Sequence, residues 1–354
     1  MPQPSIHRYV KRGVDRTISS FYTLGLESSC DETGVGIVEG TDRILTNKIY
    51  SQADLHEKYG GVVPEIASRN HLKKFHPLIE EALAEADLTL DEIDLVGATY
   101  GPGLVGPLLV GLSLGKSLGY SLDVPFLGVN HLEGHVFAHY SSNRSSPPFL
   151  ALLVSGGHTS LVLVEDWGDY RELGSTRDDA AGEAFDKVGQ MTGLGYPAGP
   201  KIDEMSQEGD PLVYDFPRPM VEEGLDFSFA GLKSSVARKV ELSEEDYDLP
   251  DLLASFQEAV VETLVTKAVR GAKEAGVEKI SVMGGVSANS RLRDKMNEAA
   301  GENGMVATFP PFELCTDNGA MIAVTAAYRH LTKGESSPLD LGPEPSLKLG
   351  REGT

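Results

Sequence analysis

Residues 149–165 read FLALLVSGGHTSLVLVE, two apolar runs rich in Leu and Val around a polar glycine turn. A run, a turn and a second run of this kind make a strand–turn–strand unit. The same pattern stands at residues 24–39, LGLESSCDETGVGIVE. Working outward, residues 95–115 (LVGATYGPGLVGPLLVGLSLG) and 280–296 (ISVMGGVSANSRLRDKM) each read strand, glycine turn, helix. Residues 125–130, PFLGVN, run straight into HLEGHVFAHY at 131–140, and ATFPPFELCTDNGAMIA at 307–323 likewise passes from a strand to a helix start. The order repeats although the residues differ. Alternating strands and helices imply an α/β chain, and the repetition predicts two related lobes facing each other across a cleft.

This division places the first lobe at residues 21–146 and the second at 147–317. A segment of the second lobe, about 172–258, has no counterpart in the first and reads as an insertion. Residues 318–335 are expected as a helix crossing back to the first lobe, and 336–354 as a Pro/Gly-rich tail. Residues 1–20 carry four basic residues and one acid and have no apolar h-region, so they read as a flexible extension rather than a secretory signal, with structure beginning near Phe21. The whole chain has 354 residues, 40% hydrophobic and 24% charged, which is globular rather than disordered composition. No run approaches the roughly 20 apolar residues of a membrane span. Two cysteines, Cys30 and Cys315, make no disulfide framework, and a cytoplasmic location is expected. The net charge of −22 argues against a broad nucleic-acid-wrapping surface, because phosphate binding draws on Lys and Arg.

His131 and His135 stand four apart in HLEGH; on a helix they share a face and can grip one metal ion. Two histidines satisfied by backbone carbonyls are the alternative. A zinc-protease helix needs Glu directly after the first His, where this chain has Leu132, so that reading fails. The internal repeat makes Asp317 a natural third ligand, supplied from the opposite lobe, although Asp-Asn before an apolar run also suits a helix cap. Two His and one carboxylate suit iron or zinc alike and leave coordination positions open. The turn Val154-Ser155-Gly156-Gly157-His158 offers backbone amides and a hydroxyl to phosphate oxygens. The turn 283–289, ending in Asn289, opens a helix whose N-terminus favours a nucleotide. Neither is a Walker A loop. Asp186 can meet a ribose hydroxyl or an amine, Gly199 allows close approach of a ligand, and Lys233 is an alternative phosphate contact. Arg69, His71, Lys73, Lys74 and His76 cluster on one expected helix as a nucleic-acid or partner contact, or a solvated face. The stretch 66–79 of that helix is a candidate dimer surface.

Together SSCDETGVGIV, GGVVPEIASRNHL, ATYGPGLVGPLLVG, NHLEGH, LLVSGGHTSLV, DDAAGEAFDKVG, YPAGP, DFSFAGLKSS, MGGVSANSRLR and LCTDNGAMIA resemble the bacterial tRNA threonylcarbamoyladenosine synthases (TsaD), over about residues 23–329. The family once carried a glycoprotease label, attached to the signature at 116–136. The resemblance implies an actin-like fold of the sugar-kinase and chaperone-ATPase type. It implies transfer of threonylcarbamoyl from threonylcarbamoyl-AMP to the exocyclic amine of the adenosine next to the anticodon in tRNA. It carries metal ligation onto His131, His135 and Asp317, and substrate contacts onto Val154, Ser155, Gly156, Gly157, His158, Asp186, Gly199, Asp203 and Asn289. Asp31 and Glu32 match an acidic pair of the first turn and are candidate catalytic groups. A paralogous partner subunit and a small ATPase subunit are implied as well. The chain departs from the commonest pattern at Ser28, usually Thr, and at Ala198 and Ser290, often Gly and Arg. An ATP-dependent small-molecule kinase of the same fold and a non-catalytic scaffold are the competing readings; neither needs the two histidines and Asp317. With a charge of −22, a tRNA substrate is expected to bind the lone chain weakly.

Overall fold

The computed structural model describes residues 9–11, 14–16, 20–143, 146–242 and 247–350. The chain divides into two compact units, residues 1–52, 62–144 and 317–354 in the first, residues 53–61 and 145–316 in the second. In the first unit β1 (Tyr9–Lys11) and β2 (Val14–Arg16) pair as a separate antiparallel ladder. Strand structure thus precedes Phe21, a correction to the expected start; of the 1–20 extension, residues 1–8, 12–13 and 17–19 lie outside the described residues. The chain continues through β3 (Tyr22–Glu27), β4 (Glu32–Glu39) and β5 (Arg43–Ser51), then α1 (Ala53–Glu57), which groups with the second unit. Next come α2 (Pro64–Glu85), β6 (Leu95–Gly101), α3 (Val105–Leu122), β7 (Phe126–Asn130) and α4 (His131–Asn143). The sheet order is β5-β4-β3-β6-β7, with β3 antiparallel to β4 and parallel to β6.

The second unit holds β8 (Phe149–Val154), β9 (Thr159–Asp166), β10 (Asp169–Ser175), α5 (Ala181–Met191), α6 (Gly199–Ser206) and α7 (Ala230–Leu242). It ends with α8 (Leu249–Ala275), β11 (Lys279–Met283), α9 (Ser290–Glu302) and β12 (Val306–Thr308). Its sheet order, β10-β9-β8-β11-β12, repeats the first strand for strand, again with β8 antiparallel to β9 and parallel to β11. Because β10 occupies the place of β5 and α8 that of α2, the unmatched segment is residues 176–248, narrower than the sequence suggested. The long helix α8 is buried over most of its length, its own Phe256 meeting Phe185 in a core that also holds Phe227 and Phe229.

After the second unit the chain returns to the first as α10 (Gly319–Lys333). Alternate residues of a strand point to opposite faces, and β4 uses this sharply. Val35 and Ile37 join Phe75 and Leu112 in the core beneath α2 and α3. Gly34 and Gly36 face the other way, onto α10. A Cβ at Gly36 would stand 2.3 Å from the Ala320 nitrogen, and one at Gly25 of β3 would stand 2.3 Å from the Gly319 oxygen. Only glycine lets the first turn of α10 settle on the sheet backbone. This seats Asp317 in the first unit, not in the opposite lobe from which the repeat had drawn it. The tail then straps across the same unit, with Gly128 N–H donating to Ser337 Oγ at 3.0 Å, Lys116 Nζ to the Leu341 carbonyl at 2.9 Å, and Leu347 buried.

Candidate metal centre and substrate turns

In the first unit β7 ends at Asn130, whose Oδ1 accepts the N–H groups of Leu132 (2.9 Å) and Glu133 (3.4 Å) and so starts α4. That start presents His131 and His135 from one face. His135 Nε2 lies 3.1 Å and His131 Nε2 3.4 Å from the same Asp317 oxygen, and the two rings meet edge to face at 4.9 Å. One ligand atom from each residue falls within 4.8 Å of the others. Asp317 is placed by its neighbour Asn318, whose side chain caps α10 by accepting Met321 N–H at 2.9 Å.

A buried carboxylate completes this arrangement. Glu27, at the end of β3, is 0% exposed and takes the Ser29 amide, the Thr99 hydroxyl and His131 Nδ1, the last at 3.1 Å. Nδ1 is held by Glu27 and, at 3.2 Å, by Ser29 Oγ, so Nε2 is the His131 atom that faces Asp317, the carboxylate–histidine pattern that orients metal ligands. Burial opposes a charged His131, but the carboxylates of Asp317 and Glu27 outweigh it and push its pKa up to about 9. Burial likewise opposes a charged Glu27, and His131 reverses the balance, holding its pKa below the usual value. Among the described residues His135 Nδ1 is buried without a hydrogen-bond partner. A borderline divalent ion fits this donor set of two imidazoles and one carboxylate.

Asp31 ends the turn between β3 and β4, and Glu32 is the first residue of β4. Burial and the charges of Asp31 and Asp317 raise the Glu32 pKa well above that of an ordinary glutamate. The same surroundings raise the Cys30 thiol, which is no nucleophile. His71 is buried, not part of a basic surface: its Nδ1 accepts the Thr33 hydroxyl at 2.8 Å and its Nε2 donates to the Cys30 carbonyl at 3.0 Å, bracketing the acidic pair. The basic cluster read from sequence is thus reduced, with Arg69, Lys73 and His76 exposed and Lys74 over the Tyr50 ring at 4.0 Å.

In the second unit β8 and β11 are parallel neighbours, so the turns after them adjoin. Gly284, at φ +91°, would place a Cβ 2.4 Å from the Val154 carbonyl. Val154 is fully buried and offers only backbone, whereas Gly156 and Gly157 are exposed. Ser155 N–H donates to the His158 carbonyl at 2.8 Å and His158 N–H to Ser155 Oγ at 3.1 Å, a closed turn. Asp186 accepts Ala198 N–H at 2.9 Å and so holds Gly199 at the start of α6. One turn on, Asp203 accepts the Ser290 amide at 3.0 Å and its hydroxyl at 2.9 Å. Ser290 therefore ties α6 to α9. Asn289 caps α9 at Leu292 N–H (2.9 Å) and donates to Gln257 (2.7 Å). Lys233 is paired with Asp179 at 2.6 Å, which occupies the ammonium proposed for a phosphate. Sequence reading passed over Glu27 and the buried position of His71; an acid ending the apolar run LGLE was the available sign, since a buried carboxylate needs partners.

A family model described as TsaD, tRNA N6-adenosine threonylcarbamoyltransferase, matches residues 43–324. The chain is 49% identical over 332 residues to the tRNA N6-adenosine threonylcarbamoyltransferase of Clostridium perfringens, covering 92% of this chain and 98% of that protein. Two solved structures share the fold. HypF from T. kodakarensis aligns with a TM-score of 0.59 at 15% identity, over 89% of this chain and 48% of that one. The (R)-2-hydroxyglutaryl-CoA dehydratase component A of Acidaminococcus fermentans aligns at 0.56 and 16%, over 88% and 99%. The expected duplicated, actin-like α/β fold is the one they have in common. By sequence over nearly its full length, the chain belongs to the TsaD family of tRNA N6-adenosine threonylcarbamoyltransferases.

Proposed function

We propose that this enzyme transfers the threonylcarbamoyl group of threonylcarbamoyl-AMP to N6 of the adenosine next to the anticodon in tRNAs reading A-starting codons. The observation that carries the reading is the convergence of His131, His135 and Asp317, with Glu27 directing His131, in a chain of this family. In the first unit these three residues would hold one divalent ion, iron or zinc, which when bound supplies Lewis-acid polarisation of a carbonyl oxygen. In the second unit the amides of Ser155, Gly156 and Gly157, with Val154 and His158, would receive the adenylate phosphate. Asp186, Gly199, Asp203 and Asn289 would frame its nucleoside, the aspartates acting largely by ordering the chain around it. The N6 amine attacks the carbamoyl carbon, the new C–N bond forms, the C–O bond to phosphate breaks and AMP leaves. The amine proton passes to the Asp31–Glu32 pair, where burial and the neighbouring carboxylates raise the Glu32 pKa and so strengthen it as a proton acceptor.

The test is incubation with threonine, bicarbonate, ATP, an adenylate-forming synthase and unmodified tRNA, with and without partner subunits. Threonylcarbamoyladenosine should form; unmodified adenosine under every condition overturns the reading. No helix among the described residues is long and apolar enough to cross a membrane, and a cytoplasmic setting accords with tRNA as substrate. The paralogous partner would dock on α2 and α3, where a groove of about 550 Å³ is lined by Leu72, Phe75, Ile79, Leu109 and Leu114. Leu72 and Leu109 are exposed there, 68% and 45%, and an uncovered apolar groove of this kind marks an interaction surface. A small ATPase subunit would complete the assembly. Leu72→Asp with Leu109→Asp should abolish co-elution with the paralogue on size exclusion and leave the fold intact by circular dichroism; unchanged co-elution places the partner elsewhere.

A further inference from the structure

Glu133 stands between the two histidines of HLEGH, yet the proposed chemistry makes no use of it. Two residues beyond His131 on a helix, it is turned by about 200° from the ligand face. Its side chain is 6% exposed and accepts a hydrogen bond from Arg329 Nη1 at 3.0 Å. Arg329 belongs to α10, the helix that opens directly after Asp317. The same guanidinium donates through Nε to Glu335 at 2.7 Å, beyond the helix end at Gly334. The Glu335 carbonyl in turn accepts His330 Nδ1–H at 2.7 Å, so the anchor is itself fixed. Between the two grips α4 lies close on α10. A Cβ at Gly134 would stand 3.0 Å from Ile322, and the Phe137 and Tyr328 rings are 5.0 Å apart. The helix α4 is thus held from two sides, by Asp317 on its histidine face and by Arg329 on the opposite one.

We infer that Glu133 and Arg329 are positioning residues for the metal centre: their ion pair, buried at Glu133 and half-buried at Arg329, sets α4 against α10 and so fixes the separation of the two histidines from Asp317. The inference rests on reading His131, His135 and Asp317 as metal ligands. A buried ion pair adds little net stability against a hydrophobic replacement, but it imposes geometry, and removing one partner leaves the other charge uncompensated. Its effect should therefore appear in the metal site beyond any general loss of stability.

The test is Co²⁺ binding to the metal-stripped full-length chain, read by visible absorption and by competition with Zn²⁺. The variants are Glu133→Gln, Arg329→Met, Arg329→Lys, Phe137→Leu and His135→Ala. Glu133→Gln and Arg329→Met should bind Co²⁺ about 10–100-fold more weakly, with altered absorption bands, the range typical of residues that orient metal ligands. Arg329→Lys should recover part of the affinity. Phe137→Leu loosens the same helix pair without touching the ions; it should lower thermal stability and keep wild-type affinity. If Arg329→Met fails to fold, the isosteric Glu133→Gln decides the matter alone. Wild-type affinity in the ion-pair variants, or an equal loss in Phe137→Leu, overturns the positioning role while loss of Co²⁺ in His135→Ala leaves the metal reading standing. Undiminished binding in His135→Ala overturns the metal reading itself.

Discussion

Asp317→Ala should leave the purified protein without its metal and lower tRNA modification about a thousandfold, roughly 4 kcal/mol of transition-state stabilisation. Elemental analysis and single-turnover modification assays measure the two losses. Among the described residues Asp317 is the one whose oxygen both imidazoles face, at 3.1 and 3.4 Å, so on the proposed reading no neighbouring group replaces it. A second readout does not depend on metal. In the stripped protein Asp317 is the foremost of the charges that hold His131 up to about 9, acting against burial. Its removal should drop the His131 titration by NMR. Full metal content and full activity in this variant would exclude Asp317 as a ligand.

The second large effect falls on stability. Glu27→Ala removes the acceptor of three buried donors and takes from His131 one of its two carboxylate neighbours, a change expected to cost about 3–5 kcal/mol. Thermal or urea unfolding of the metal-stripped protein measures it. The pH dependence has a definite sign. His131 is raised in the folded state from 6.5 to about 9, so its contribution is complete below 6.5 and lost as pH rises through 9. Glu27 is lowered from 4.5, so its contribution is present above 4.5 and lost as pH falls through the lowered value. Stability from this pair is therefore greatest between 4.5 and 6.5, and Glu27→Ala should flatten the alkaline limb. An unchanged limb would mean that Glu27 and His131 are not coupled.

The duplication was legible because strand and helix impose periods on the apolar residues, and the same order of runs and glycine turns recurs in both units. The histidine pair was legible for a related reason: four residues is a local spacing that helix geometry turns into one face. The turn at 154–158 declared itself through two adjacent glycines. In each case the information lies within a few residues of chain.

Other assignments needed the folded chain. His71 sits among basic residues in sequence, and only packing shows it buried and clamping Cys30 and Thr33. Asp203 and Ser290 are 87 positions apart and meet through both carboxylate oxygens. Glu27 and His131 are separated by 104 positions, Glu133 and Arg329 by 196. Sequence by itself determined the α/β class, the repeat, the family and the local histidine pair, since these depend on short-range periodicity and motif order. Tertiary structure alone decided which unit holds Asp317 and what orients His131. Both follow from glycines on one face of a sheet that admit the α10 backbone, and from a buried carboxylate whose partners converge only when the strands pair.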